Sequence, residues 1–209
     1  MKKTLLLAVL ALALPTALFA GSSIDFSNTG GNLMGSSSGL SLTGSTLFRV
    51  DGLNGLGAVV GSNLGSVSFT TGALVSGSLT STTPGVVAMF SGVGSTFTVM
   101  GNGTNGLPSG VLFSGKFSGD VKVSLESSGS SGMHIYEVSG NLVGMTSSGQ
   151  SVSGVTFQTI VNTGKGVFNG NATVSSGDTT LLVPEPGSLG LLGTGLIGLA
   201  GVVRRKLKS

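Results

Sequence analysis

Between about Gly21 and Leu182, apolar and polar residues alternate one for one in short runs. Val67-Ser68-Phe69-Thr70, Ser95-Thr96-Phe97-Thr98-Val99, Val121-Lys122-Val123-Ser124-Leu125 and His134-Ile135-Tyr136-Glu137-Val138 follow this pattern. So do Val155-Thr156-Phe157-Gln158-Thr159-Ile160-Val161 and Gly170-Asn171-Ala172-Thr173-Val174. A period of two turns one residue inward and the next to solvent, which is the signature of a half-buried strand. Clusters of Gly, Ser and Asn separate the runs, often as Asn-Gly or Ser-Gly pairs that favour turns. The pattern predicts an all-β body, an antiparallel β-sandwich, with a rolled barrel or an irregular β-solenoid as alternatives. From Gly21 to about Gly65 the alternation is weaker. There Gly30-Gly31, Ser36 to Gly39 and Asp51 to Gly57 read as loops joining short edge strands, and Ser175-Ser176-Gly177-Asp178 reads as a final turn before a C-terminal linker.

At both ends the alternation gives way to unbroken apolar runs. Met1-Lys2-Lys3 precedes the run from Thr4 to Leu14, Pro15 breaks it, and Ala17-Leu18-Phe19-Ala20 leads into Gly21. A cationic start, a short apolar helix and a small-residue exit predict a signal peptide over residues 1–20, cut by signal peptidase between Ala20 and Gly21 after Sec-type export. The run is shorter than the roughly 20 residues of a spanning helix. Near the other end, residues 187–203 carry no charge and predict a transmembrane helix, interrupted by glycine every two or three residues. The basic tail over residues 204–209, with Arg204, Arg205, Lys206 and Lys208, predicts a cytoplasmic stop to translocation. With both basic ends inside, residues 21–182 belong outside. Val183-Pro184-Glu185-Pro186 then falls at the outer membrane boundary. Its prolines can neither continue a helix nor donate to a sheet, so the segment is extended and open to an enzyme.

This C-terminal stretch resembles the PEP-CTERM sorting signal of exported proteins of Gram-negative bacteria. The residues carrying the likeness are Val183-Pro184-Glu185-Pro186-Gly187, the Gly- and Leu-rich segment, and the Arg204-Arg205 start of the tail. The resemblance implies that Pro184, Glu185 and Pro186 are recognised by an exosortase, an integral-membrane transpeptidase-like enzyme. It implies transient residence in the inner membrane, followed by the cell surface or extracellular matrix. It also implies a link to extracellular polysaccharide, which becomes a further expected partner, and to biofilm formation. The domain reading is therefore signal peptide 1–20, Gly/Ser/Thr-rich β domain 21–182 and sorting signal 183–209.

Charge narrows the function of the body. The formal balance of +3 belongs to the two ends; between Gly21 and Leu182, four cations stand against six carboxylates and leave −2. Four scattered cations do not build the basic face that a nucleic acid requires. The absence of cysteine excludes a disulfide scaffold and a thiolate metal site.

Other motifs carry no chemistry in their context. Gly101-Asn102-Gly103-Thr104-Asn105-Gly106 spells a dinucleotide fingerprint, but Leu107-Pro108-Ser109-Gly110 follows where a helix must begin. Gly35-Ser36-Ser37-Ser38-Gly39 spells a nucleophile elbow, yet the only histidine, His134, sits in a strand-like run far along the chain. His134 and Glu137 are spaced for opposite faces of a strand and make a poor metal pair. Asp51 and Asp120 beside glycines read as turn residues. A chain without tryptophan and with one tyrosine, Tyr136, offers little for sugar stacking. The expectation is thus a non-enzymatic structural protein with no catalytic residue, metal or cofactor. A carbohydrate-binding module of the cell envelope is the alternative, and a secreted hydrolase a weaker one.

Overall fold

The computed structural model of the chain describes residues 22–128 and 134–183. The expected signal peptide with Ala20 and Gly21, the motif residues Pro184, Glu185 and Pro186, the expected transmembrane segment 187–203 and the basic Arg204, Arg205 and Lys206 lie outside the described residues. Among the described residues the chain is antiparallel β with one 3-10 turn at Leu53–Gly55, and no helix there is long and apolar enough to cross a membrane.

Twelve strands are described. β1 (Ser22–Thr29), β2 (Asn32–Ser36), β3 (Gly39–Asp51) and β4 (Val59–Thr70) occupy the N-terminal third. β5 (Leu74–Gly77), β6 (Gly85–Phe90), β7 (Thr96–Asn102), β8 (Ser109–Phe117) and β9 (Val121–Ser128) follow. β10 (His134–Thr146), β11 (Ser151–Asn162) and β12 (Asn171–Val183) complete the body. The pairing does not divide into the two sheets of a sandwich. It runs β12 to β1 and β2, then to β3, β4, β7, β8, β10 and β11, and returns from β11 to β12. The sheet is a rolled, closed ladder, the barrel arrangement among the three that alternation alone allowed. Closure leaves no free edge along that route. β9 continues the pairing with β10 beyond the end of β8, and β6 and β5 continue the sheet from it, Val87, Ala88 and Phe90 of β6 joining the core.

The interior is filled by side chains from the alternating runs. Phe157 is central: its ring lies 5.0 Å from Phe69, 5.2 Å from Phe97 and 5.8 Å from Phe117, all in edge-on arrangements that aromatic quadrupoles favour. Glycine makes room for these rings. Gly115 and Gly144 face each other across β8 and β10, and a side-chain carbon on either would meet the Phe113 ring at 2.8 Å. The ring therefore lies over bare backbone, an arrangement that shields a glycine pair.

Two local expectations are corrected. The N-terminal third does not form edge strands: β3 pairs with β1 and β2 on one side and β4 on the other. Register shifts between Leu42 and Ser45 and between Leu47 and Arg49 interrupt its alternation, because each bulge adds a residue and changes the facing parity. Gly30-Gly31 is the bend between β1 and β2, with φ of 68° and 81°. Ser175 to Asp178 is not a turn but the middle of β12. Gly177 faces inward opposite the buried Asn28, whose amide lies 2.6 Å from where a Cβ would stand. Asn28 donates to Ser45 Oγ at 2.7 Å, and Ser27 Oγ donates to Asp178 Oδ1 at 2.8 Å. Tertiary partners hold a turn-like composition extended.

A fragment of residues 22–183 is expected to give a β-type circular dichroism spectrum with little helix and one cooperative unfolding transition. A predominantly helical spectrum would overturn this fold. A disordered one would mean that the backbone entropy of so many glycines prevails over the core.

Candidate functional site

The last described strand, β12, ends at the residue before the sorting motif. β12 buries Val174, Gly177, Thr179, Leu181 and Val183 on its inner face, and Val183, only 5% exposed, is the residue before Pro184. Pro184 and Pro186 have no N–H to give a ladder, and a residue preceding proline is confined to extended backbone. The described strand runs to Val183, and the prolines that follow in the sequence cannot donate to a ladder. The motif is a direct continuation of a core strand.

β1 runs beside β12 in the opposite sense. Gly30 N donates to Val174 O at 3.0 Å, Thr29 Oγ1 donates to Ser175 O at 2.9 Å, and Ser27 Oγ reaches Asp178. β1 therefore begins, and β12 ends, toward the same end of the barrel.

The remaining candidates are structural. Gly101 to Gly106 is the end of β7 and its hairpin loop to β8. Asn102 Oδ1 accepts from the N–H and hydroxyl of Thr104 at 3.1 and 2.6 Å, while the Asn102 and Asn105 amides donate to Asn63 O and Val60 O and pin the loop to β4. Gly35 to Gly39 covers the end of β2 and its turn into β3, where Ser38 N donates to Ser36 Oγ at 3.1 Å. Neither segment precedes a helix. His134 is half-buried, 6.4 Å from the Tyr136 ring, and its Nδ1 is buried without a hydrogen-bond partner among the described residues. Glu137 instead accepts from Gln158 Nε2 at 2.7 Å. No group of three or more His, Cys, Asp or Glu residues gathers among the described residues. Arg49 and Asp51 form an exposed pair at 3.0 Å, of a kind that adds at most about 1 kcal/mol.

A surface groove of about 480 Å³ lies at the end of the barrel away from Ser23 and Val183. It is lined by Ser36, Ser38, Ser41, Thr70, Thr71 and Met34, and a second groove of about 360 Å³ shares Gly35, Ser36 and Gly170 with it. Serine and threonine hydroxyls line them together with the apolar side chains of Met34, Leu40, Leu74, Leu79 and Phe168. Eight phenylalanines and Tyr136 are buried, Tyr136 donating to Ser81 O at 3.4 Å, and of these Phe168 borders the second groove.

The family described as the PEP-CTERM protein-sorting motif matches residues 182–206. The chain carries a PEP-CTERM sorting signal. The match begins on β12, at Leu182 and Val183, so the first matched residues belong to the folded body as well. That overlap was concealed in the sequence by the continuous apolar run Leu181-Leu182-Val183, which has no alternation to mark it as strand. No curated protein and no solved structure matches the chain.

Proposed function

We propose that this PEP-CTERM protein is exported through a Sec-type route, loses residues 1–20 to signal peptidase, and is held briefly in the inner membrane by residues 187–203. An exosortase then processes it at the Pro184-Glu185-Pro186 motif. The mature barrel serves at the cell surface or in the extracellular matrix as a structural component, without catalysis, in association with extracellular polysaccharide or biofilm. The observation that carries this reading is the match to the sorting motif at residues 182–206, followed by a basic tail to Ser209. Supporting it, the body is low in charge and rich in outward hydroxyls, which suits a hydrated matrix.

Topology tests the reading. A reporter active only outside the cytoplasm is expected to work when fused after Val183 and to fail when fused after Ser209, because the basic residues at both ends remain inside. External activity of the Ser209 fusion in unprocessed protein would remove the stop-transfer segment, and with it the proposed route.

A further inference from the structure

We infer that the end of the barrel from which both chain termini leave rests on the lipid surface while the precursor is anchored, through an uncharged apolar rim on the β7, β8, β10 and β12 side. The inference rests on the anchored precursor proposed above.

The antiparallel ring gathers three connections at this end: residues 52–58, 103–108 and 147–150, together with Ser22 and Val183. Close to these strand ends, six large apolar side chains face solvent: Leu56, Val60, Met100, Val111, Met145 and Leu182. Met100 and Val111 are direct cross-strand partners, Met145 is one residue from the end of β10, and Leu182 is one residue from the end of β12 and 53% exposed. They sit in an uncharged setting. Residues 52–115, 138–164 and 179–183 contain no ionisable side chain. The ionic groups nearest this end, Asp25, Arg49 and Asp51, are confined to β1 and β3. The opposite end also exposes apolar residues, Val93 among them, but there they share the surface with Lys116, Asp120, Lys122, Glu126, Glu137 and Lys165.

Chain length names the occupant. Only Pro184, Glu185 and Pro186 separate Val183 from the uncharged segment beginning at Gly187. Even fully extended, that tether reaches about 14 Å at 3.3–3.6 Å per residue, comparable with the headgroup zone it must cross plus a single layer of side chains. With the body held so close, one of its surfaces must meet the interface. Neutral apolar side chains gain by entering it, whereas ions lose hydration there. The carboxylates on β1 and β3 are repelled by anionic lipid, which tips the contact toward the β7 to β12 side.

The chain has no cysteine, so single Val111→Cys, Met145→Cys and Leu182→Cys variants of the full chain can each carry one environment-sensitive fluorophore. Val93→Cys, at a position 84% exposed on the far end, is the reference. The labelled chain is reconstituted in vesicles of phosphatidylethanolamine and phosphatidylglycerol containing quencher-bearing acyl chains. The rim labels are expected to shift to the blue, to be quenched from the lipid and to be shielded from iodide, while the Val93 label stays aqueous. In the labelled Leu182→Cys chain, adding Val111→Asp and Met145→Asp is expected to return the label to water without loss of vesicle flotation. If the chain floats with the vesicles but its rim labels are as accessible to iodide as the Val93 label, the lipid-facing rim is wrong and the anchor stands. If the chain does not float at all, the anchor is wrong and the rim falls with it.

Discussion

Replacing Pro184, Glu185 and Pro186 together by alanine is expected to leave export intact and to abolish processing. Export survives because the N-terminal signal and the basic stop at Arg204, Arg205 and Lys206 are untouched. The barrel survives because the replaced residues lie beyond β12, whose described core residues, down to Val183, are untouched. Processing fails for a conformational reason. Proline is less favourable than alanine in a helix interior by about 3 kcal/mol, so the two prolines hold the segment extended. Alanines remove that block and supply the missing N–H groups. The helix expected over residues 187–203 can then grow outward toward Val183, enclosing the peptide bonds in i to i−4 hydrogen bonds and removing the single charge of Glu185. Signal-cleaved precursor should accumulate in the inner membrane, and mature protein should disappear from the surface and medium. Mass spectrometry of the C-terminus decides the matter. A wild-type surface protein still ending at Ser209, or an alanine variant trimmed as wild type, would show the segment to be a plain anchor.

Phe157→Ala is expected to destabilise the body by about 3–5 kcal/mol, the range for removing a buried phenylalanine. Phe157 touches three other rings and is fully buried, so the loss combines transfer energy, a cavity and several edge-on aromatic contacts. Domain stability is typically about 5–15 kcal/mol, so this one change removes a large share. Urea unfolding of the 22–183 fragment measures it, with Val93→Ala on the exposed loop as a control expected within about 0.5 kcal/mol. A loss below about 1 kcal/mol for Phe157→Ala would mean that the aromatic cluster does not hold the barrel closed. In the cell envelope the same variant should yield less mature protein although its sorting motif is unchanged, since unfolded chains are removed by proteolysis.

The strand runs around Val67, Phe97, Val121, Ile135 and Phe157 were legible because each alternates without interruption for four or more residues, and each lies inside an observed strand. β3 was not legible as an interior strand, since its bulges break the period that alternation relies on. Ser175 to Asp178 was misread because Ser, Gly and Asp favour turns only when nothing else claims their backbone. Here β11 pairs with them on one side and β1 bonds to them on the other. The rim of Met100, Val111, Met145 and Leu182 was invisible in the chain, because an apolar residue in a strand declares its face only once the register is known.

What the sequence determined by itself is the sorting signal. Prolines around an acid, an uncharged stretch and a basic tail act through local backbone restriction, hydropathy and charge, none of which needs a partner from elsewhere in the chain. The β character of the body is of the same kind, set by a period of two. The tertiary structure decided what depends on pairing over long separations: that β11 returns to β12 and closes the ladder, that β1 comes to lie beside β12, and that the apolar run up to Val183 is a core strand. Those outcomes turn on which strand each backbone hydrogen bond joins, and every N–H and C=O in the chain offers nearly the same bond. Only the packing of Phe69, Phe97, Phe113, Phe117 and Phe157 in one interior selects among the registers that the local pattern leaves equal.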